Sequence, residues 1–151
     1  MTGFTNSLKT EWLDNGKWRV TESFRFYSGE QGSSIFVEVP EGFVTDLASV
    51  PRALRWLVPK VGKDSMASIV HDRLYATGTM SAANIVNDNE YLSDSAISRS
   101  MADGMYHQAM KALRVGRWRR IALYHAVSAF GWVAWNRYRN AGKGMATETT
   151  L

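Results

Sequence analysis

The 151-residue sequence predicts an α+β fold in which a small antiparallel β-meander packs on a bundle of about four α-helices. The N-terminal third alternates apolar and polar residues around a hairpin turn, and after Gly42 the apolar spacing becomes helical. Hydrophobic residues make up 45% and charged residues 21%, the composition of a globular protein. The length fits a single domain over residues 1–151, with strands at about 8–40, helices at about 49–138 and a flexible or partner-bound tail at 139–151.

The strands are predicted around Asn15-Gly16, because this dipeptide is the strongest short hairpin signal. It separates the runs 8–13 and 17–27. Period two puts four apolar side chains of the second run on one face: Trp18, Val20, Phe24 and Phe26. Glu22 is the exception to this alternation, and a third alternating run at 35–39 completes a three-stranded meander with one buried face.

The predicted helices cover residues 49–59, 64–76, 95–115 and 118–138. Pro51 fits the first turn of the first helix, and Gly78 and Gly116 are typical residues at which a helix ends. Residues 79–92 are polar and uneven, so we expect a long loop there.

The charge is strongly segregated along the chain. No Asp or Glu occurs between residues 104 and 147. The same stretch contains the cations Lys111, Arg114, Arg117, Arg119, Arg120, Arg137, Arg139 and Lys143. Such a basic face is suited to an anionic membrane surface or an acidic protein partner, although a solvated helix surface is the simpler interpretation. No nucleic-acid-reading motif is recognisable, so sequence-specific nucleic-acid binding is not expected.

The absence of cysteine excludes disulfides, thiolate metal sites and a cysteine nucleophile. The first residues lack a cationic start followed by an apolar run, so no secretory signal is expected. Residues 121–135 are mostly apolar but fall short of the roughly 20 residues that span a bilayer. We expect them to form a buried helix, with interfacial membrane contact as the alternative.

The residues best suited to chemistry lie on two of the predicted helices. His71 and Tyr75 are four apart and share a helix face, while Asp72 points about 100° further round. Asp103, on the helix at 95–115, is the carboxylate that His71 is expected to meet. Gly104 costs a helix about 1 kcal/mol relative to alanine, which predicts a close helix approach there.

This set supports a specific reaction. A neutral imidazole can take a proton from water when a second group fixes its tautomer. Asp103 would be that group, with Tyr75 donating a hydrogen bond to hold it. Asp72 would bind a hard divalent cation with help from backbone carbonyls, and Asp46 would be a second ligand or an Asx-type turn or cap. The alternative is a buried polar network that pins two helices and never meets a substrate.

Three segments carry a family resemblance: GFVTDLASVPR (42–52), SIVHDRLY (68–75) and SRSMADGMYHQAM (98–110). With the later ALYHAVSAFGWVAW they resemble the phage and prophage domain-of-unknown-function family 1353, from about Trp18 to Trp135. The resemblance implies a bacteriophage or prophage origin. It also implies a location in the host cytoplasm during phage production, or in the virion, with phage structural proteins as partners.

The pattern HD-x-x-Y followed by AD on a later helix resembles the two-helix core of the secretory His-Asp phospholipases. This resemblance implies that His71 is the general base, Asp103 its orienting partner, Tyr75 the bracing phenol and Asp72 a calcium ligand. The sequence departs from that family in having no cysteine. Its upstream loop also offers Gly42, Thr45 and Asp46 in place of a glycine-rich calcium loop.

Two functions therefore follow as expectations. The first is a phage-encoded hydrolase-like domain with a His-Asp centre and a divalent cation, acting on an ester or amide of the cell envelope. The second is a non-enzymatic virion or assembly protein that packs against phage partners through its basic C-terminal helices and tail.

Overall fold

The computed structural model describes residues 3–46, 53, 56 and 63–148. Within them lie seven strands: β1 (Thr10–Trp12), β2 (Trp18–Val20), β3 (Phe24–Tyr27), β4 (Ile35–Val39), β5 (Val44–Thr45), β6 (Thr79–Val86) and β7 (Asn89–Ala96). Four helices accompany them: α1 (Lys63–Thr77), α2 (Arg99–Ala112), α3 (Arg117–Phe130) and α4 (Trp132–Glu148). The predicted α+β class is confirmed.

The strands form two antiparallel sheets, in the orders β1-β2-β5 and β3-β4-β6-β7, so the predicted single three-stranded meander is wrong. The hairpin at Asn15-Gly16 is present, with Trp12 opposite Trp18. The run 17–27 divides at Glu22, which breaks the apolar alternation and accepts hydrogen bonds from Asn6 and Lys9. The break sends β2 into one sheet and β3 into the other.

The loop predicted at 79–92 is also wrong, because β6 and β7 form a hairpin with eight residues in each strand. Asn87 and Asp88 make its turn with positive φ values of 50° and 61°, a backbone that Asn and Asp tolerate better than most residues. The strands escape a period-two search because neither of their faces is fully buried, so their sequence carries no apolar alternation.

The helices follow the sequence in part. Helix α1 ends one residue before Gly78, as predicted, whereas the predicted helix at 118–138 is two helices that meet at Gly131. Helix α4 continues to Glu148, so much of the predicted tail at 139–151 has helical backbone, and partner binding by it stays a prediction. The predicted helix at 49–59 lies outside the described residues, apart from 53 and 56.

The close backbone approach predicted at Gly104 occurs at Gly131 instead. A Cβ at Gly104 would meet nothing within 4 Å, so the expected helix contact there is wrong. At Gly131 a Cβ would collide with the hydroxyl of Tyr75 and the carbonyl oxygen of Val127. The glycine between α3 and α4 therefore lets this corner of the backbone lie against the α1 tyrosine.

The hydrophobic core joins the inner faces of both sheets to helices α1, α2, α3 and the start of α4. The strands contribute apolar side chains that are buried against α1 and its neighbours: Val20, Phe24, Phe26, Val37 and Val39. Helix α1 lies between the sheet strand β4 and helices α2 and α4. No helix in the described part of the chain is long and apolar enough to cross a bilayer.

Candidate functional site

The contact predicted between His71 and Asp103 is confirmed. His71 Nε2 lies 2.8 Å from Asp103 Oδ1, across the packed helices α1 and α2. His71 is 0% exposed and Asp103 is 1% exposed. Because a polar group removed from water needs a partner, this interaction is a strong link between the two helices.

Two other residues also donate hydrogen bonds to the Asp103 carboxylate. The hydroxyl of Tyr75 donates to Asp103 Oδ1 at 2.7 Å, as the sequence predicted. Arg99 Nη1 approaches Asp103 Oδ2 at 3.3 Å and also donates to the backbone oxygens of Val127 and Ser128, at 3.1 and 2.9 Å. Arg99 therefore connects Asp103 to the last turn of α3.

These contacts determine the tautomer of His71. An ionised carboxylate only accepts hydrogen bonds, so His71 Nε2 carries the proton of the neutral ring, and Nδ1 carries the lone pair. Nδ1 is buried and makes no hydrogen bond to any residue that the structure describes. Since nearly all buried polar atoms in proteins are paired, this free nitrogen needs an explanation.

The imidazole ring is held from both sides by aromatic rings. Tyr106 stacks on it with ring centroids 4.7 Å apart and 29° between the planes. Tyr75 lies against it at 4.2 Å. The hydroxyl of Tyr106 is itself 3.2 Å from Ser68 Oγ, so its ring is tied to α1. His71 therefore has little freedom to rotate away from Asp103.

Tyr75 is fully buried next to the pair formed by His71 and Asp103. Burial, followed by the hydrogen bond to Asp103 and the charge of that carboxylate, raises the pKa of Tyr75 far above its usual value. The ring packs edge-on against Trp135 with centroids 5.2 Å apart, and Gly131 leaves room for its hydroxyl. Tyr75 thus remains protonated and able to donate.

The first of the carboxylates predicted to bind a metal, Asp72, points about 100° round α1 from His71. Asp72 is buried and accepts a hydrogen bond from the hydroxyl of Thr45 at the end of β5. Asp46, the next residue in the chain after Thr45, is exposed. Burial, then the charges of Asp72 and Asp46, raise the pKa of Tyr138, so both carboxylates act on one phenol of α4.

This pair could supply two oxygen ligands to a hard cation such as calcium, which prefers carboxylate and carbonyl oxygens. No group of three or more His, Cys, Asp or Glu side chains that could hold a metal occurs among the described residues. Further ligands would have to come from backbone carbonyls, hydroxyls or water.

The sequence predicted no specific contact for four residues that shape the site: Thr45, Arg99, Tyr106 and Arg139. Arg99 and Asp103 are four apart on α2, a spacing that could have indicated the ion pair. Arg139 was assigned to the solvated basic face, but its Nη2 donates to the carbonyl oxygens of Tyr75 and Ala76, at 2.5 and 3.0 Å. Its guanidinium also lies over the Trp135 ring. No local sequence pattern indicates that contact.

Comparison with known proteins gives a family and no more. A family model described as "Protein of unknown function (DUF1353)" matches residues 18–127, which is more than half of the chain and includes every residue of the site on α1 and α2. No curated protein and no solved structure matches the chain. The chain therefore belongs to the DUF1353 family of proteins of unknown function.

Proposed function

We propose that the chain is a hydrolase in which His71 is the general base for attack of water on an ester or amide carbonyl. The observation that carries the proposal is His71 Nδ1, a buried nitrogen whose lone pair is unused by the described residues. A histidine that only joined two helices would be expected to have both ring nitrogens satisfied. Here Asp103 holds one nitrogen, and no residue that the structure describes hydrogen-bonds to the other.

The proposed reaction begins when Nδ1 takes a proton from water as the water oxygen bonds to the carbonyl carbon. Asp103 steadies the resulting imidazolium, and Tyr75 and Arg99 keep the carboxylate in place. When the tetrahedral intermediate collapses, the bond to the leaving oxygen or nitrogen breaks. The leaving group then takes the proton from Nδ1.

A calcium ion at Asp72 and Asp46, if bound, would polarise the carbonyl and stabilise the negative charge on its oxygen. The chain's own part would be to supply the two carboxylates, with Thr45 fixing the orientation of Asp72. Because His71 is buried, the reaction also requires an opening through which water and the carbonyl reach Nδ1.

The substrate that we propose is an ester or amide of the bacterial cell envelope. The similarity of His71, Asp72, Tyr75 and Asp103 to the phospholipase helix pair favours a phospholipid ester among these. A phage or prophage origin, with action in the host cytoplasm or the virion, belongs to the same proposal and is supported by the motif resemblance alone.

The test is turnover by the full chain on phospholipid, simple ester and peptide amide substrates, each with and without calcium. We expect the wild type to hydrolyse one class, and His71→Gln to lose roughly a hundredfold or more of that rate. His125→Gln, an exposed histidine on α3, is the matched control and should keep full activity. An inactive wild type under all conditions, or an active His71→Gln, would refute the hydrolase.

A second function, a non-enzymatic virion or assembly protein, is favoured by a separate observation. Large apolar side chains are exposed on α3 and α4 and on the β6–β7 hairpin, and such residues are typical of interaction surfaces when clustered. Partners of this kind include phage structural proteins and, through the cationic residues, an anionic membrane surface. Assembly and hydrolysis use different parts of the chain, so the two functions are compatible.

A further inference from the structure

The β6–β7 hairpin projects from its sheet. Strand β6 pairs with β4 at Ser81 and Ala82, whereas its pairing with β7 continues to the Val86–Asn89 pair at the turn. Strand β7 is the edge of the sheet, and all eight of its residues are exposed. Towards the turn, the two strands of the hairpin therefore pair with each other and not with β4.

One face of this hairpin combines apolar and acidic side chains. Because side chains alternate along a strand, Ile85 shares a face with its partner Glu90, and Leu92 and Asp94 lie on that face too. Ile85 is 78% exposed and Leu92 is 52% exposed. We name these four residues the hairpin face. The opposite face has Val86 and Tyr91 but no charged residue within the strands.

The hairpin is acidic as a unit. Residues 79–96 contain Asp88, Glu90 and Asp94 but no Lys or Arg. Arg25 approaches Glu90 at 3.2 Å and also binds Glu38 at 2.8 Å. Arg73 interacts electrostatically with Asp94 and with the same Glu38, so two arginines face three carboxylates. Negative charge therefore remains beside the exposed Ile85 and Leu92.

Helix α3 presents a surface with the opposite charge. Its exposed side is formed by Arg117, Trp118, Ile121 and His125, which fall on one arc of the helix. Trp118 is 66% exposed, so most of its large apolar ring is left in water in the single chain. No acidic residue occurs in α3. We name these four residues the α3 face.

We propose that this chain associates head to tail with a second copy of itself, the hairpin face of one copy docking on the α3 face of the next. Ile85 and Leu92 would pack against Trp118 and Ile121, and Asp94 would approach Arg117. Both surfaces are exposed in the single chain, so neither covers the other within one copy. This proposal is independent of the proposed hydrolase.

The charge pattern also decides the mode of association. Edge-to-edge pairing of β7 with a second β7 would bring the carboxylates of Glu90 and Asp94 near their own copies, and like charges across strands are destabilising. Docking of two different surfaces avoids this repulsion. Such a heterologous contact leaves one free surface at each end, so it continues into a ring or a filament.

The test is sedimentation velocity of the full chain over a range of concentrations, at low and high salt. The hairpin variant is Ile85→Ser with Leu92→Ser, and the α3 variant is Trp118→Ser with Ile121→Ser. The matched control is Val86→Ser with Tyr91→Ser, which removes apolar area from the other face of the same hairpin. Circular dichroism checks that all variants are folded.

We expect wild-type association to grow with concentration and to weaken with salt, because charges contribute to it. Each of the two variants alone should associate at least tenfold more weakly, and the control should behave as wild type. An equimolar mixture of the two variants should form a dimer that grows no further, because each variant keeps one intact surface.

Several results would overturn the proposal: a monomeric wild type at every concentration, a mixture that does not dimerise, or a control as weak as the hairpin variant. A wild type that stays monomeric but binds vesicles of anionic phospholipid through Trp118 and Ile121 would assign the α3 face to a membrane.

Discussion

Asp103 Oδ1 accepts hydrogen bonds from both His71 and Tyr75, two residues that lie one turn apart on α1. One oxygen of α2 thereby fixes two neighbouring side chains of α1. The other oxygen is addressed by Arg99, which reaches on to α3. The Asp103 carboxylate therefore links the three helices α1, α2 and α3.

Replacing Asp103 should destabilise the protein strongly. Asp103→Ala would leave a buried neutral histidine and a buried tyrosine without their shared acceptor. Each polar group left unsatisfied in this way typically costs about 1–3 kcal/mol in the free energy of unfolding. Urea denaturation measures this. Asp94→Ala, an exposed aspartate on β7, is the control and should change stability by less than about 0.5 kcal/mol. Equal effects of the two changes would show that the link between the three helices contributes little.

Two glycine-to-alanine changes should have opposite signs. Gly131→Ala would put a methyl group against the Tyr75 hydroxyl and the Val127 carbonyl, and overpacking of this kind costs about 1–3 kcal/mol. Gly104→Ala meets open space inside α2, so it should stabilise the helix by up to about 1 kcal/mol. Thermal unfolding of both variants measures the two changes in stability. A neutral Gly131→Ala would contradict the close approach of the α3–α4 corner to Tyr75.

The raised pKa of Tyr75 makes stability depend on pH at the alkaline end. The folded protein keeps the Tyr75 proton, whereas the unfolded chain loses it above about pH 10. The contribution is therefore complete below pH 10 and is lost as pH rises towards the folded-state pKa. Tyr75→Phe should be less stable by about 1 kcal/mol at neutral pH, because a hydrogen bond is lost.

The same variant should also lose less stability than the wild type between about pH 9 and pH 11. Urea denaturation at several pH values measures how the free energy of unfolding of each protein changes with pH. Tyr91→Phe, on the exposed hairpin, should follow the wild type. If Tyr75→Phe and the wild type decline in parallel, Tyr75 does not carry the alkaline dependence.

Arg139 should behave differently from its neighbour Arg137. Arg139 donates to two carbonyl oxygens in the last turn of α1, where cations are stabilising, so Arg139→Ala should cost about 1.5–3 kcal/mol. Arg137 is exposed, and Arg137→Ala should be nearly neutral. Urea denaturation, with hydrogen exchange at the Gly78 amide, measures the global and the local effect. Equal stability of the two variants would place Arg139 with the solvated cations.

The site could be predicted from sequence because its geometry is local. Four-residue spacing fixes His71 and Tyr75 on one helix face, and Asp103 was the carboxylate available on the next long helix. Arg139 could not be predicted in the same way, because its contact with Tyr75 spans 64 residues and depends on how α4 packs.

The fold was predicted in class but not in detail. Period two detects a strand with one buried face, and it found the strands that supply Phe24 and Phe26 to the core. It cannot detect β6 and β7, whose side chains lie in solvent or at the edge. The break at Gly131 was missed because the apolar run continues on both sides of it, from Ala129 to Trp132.

The central claim is that Asp103 holds His71 as the tautomer with a proton on Nε2, which leaves Nδ1 as a base. Nitrogen-15 NMR of histidine-labelled protein at neutral pH tests this directly, with the three histidines assigned through His71→Gln, His107→Gln and His125→Gln. We expect the His71 signals of one protonated nitrogen, Nε2, and one unprotonated nitrogen, Nδ1. A proton on Nδ1 at neutral pH would contradict the account, because the lone pair that the proposed hydrolysis needs would be absent.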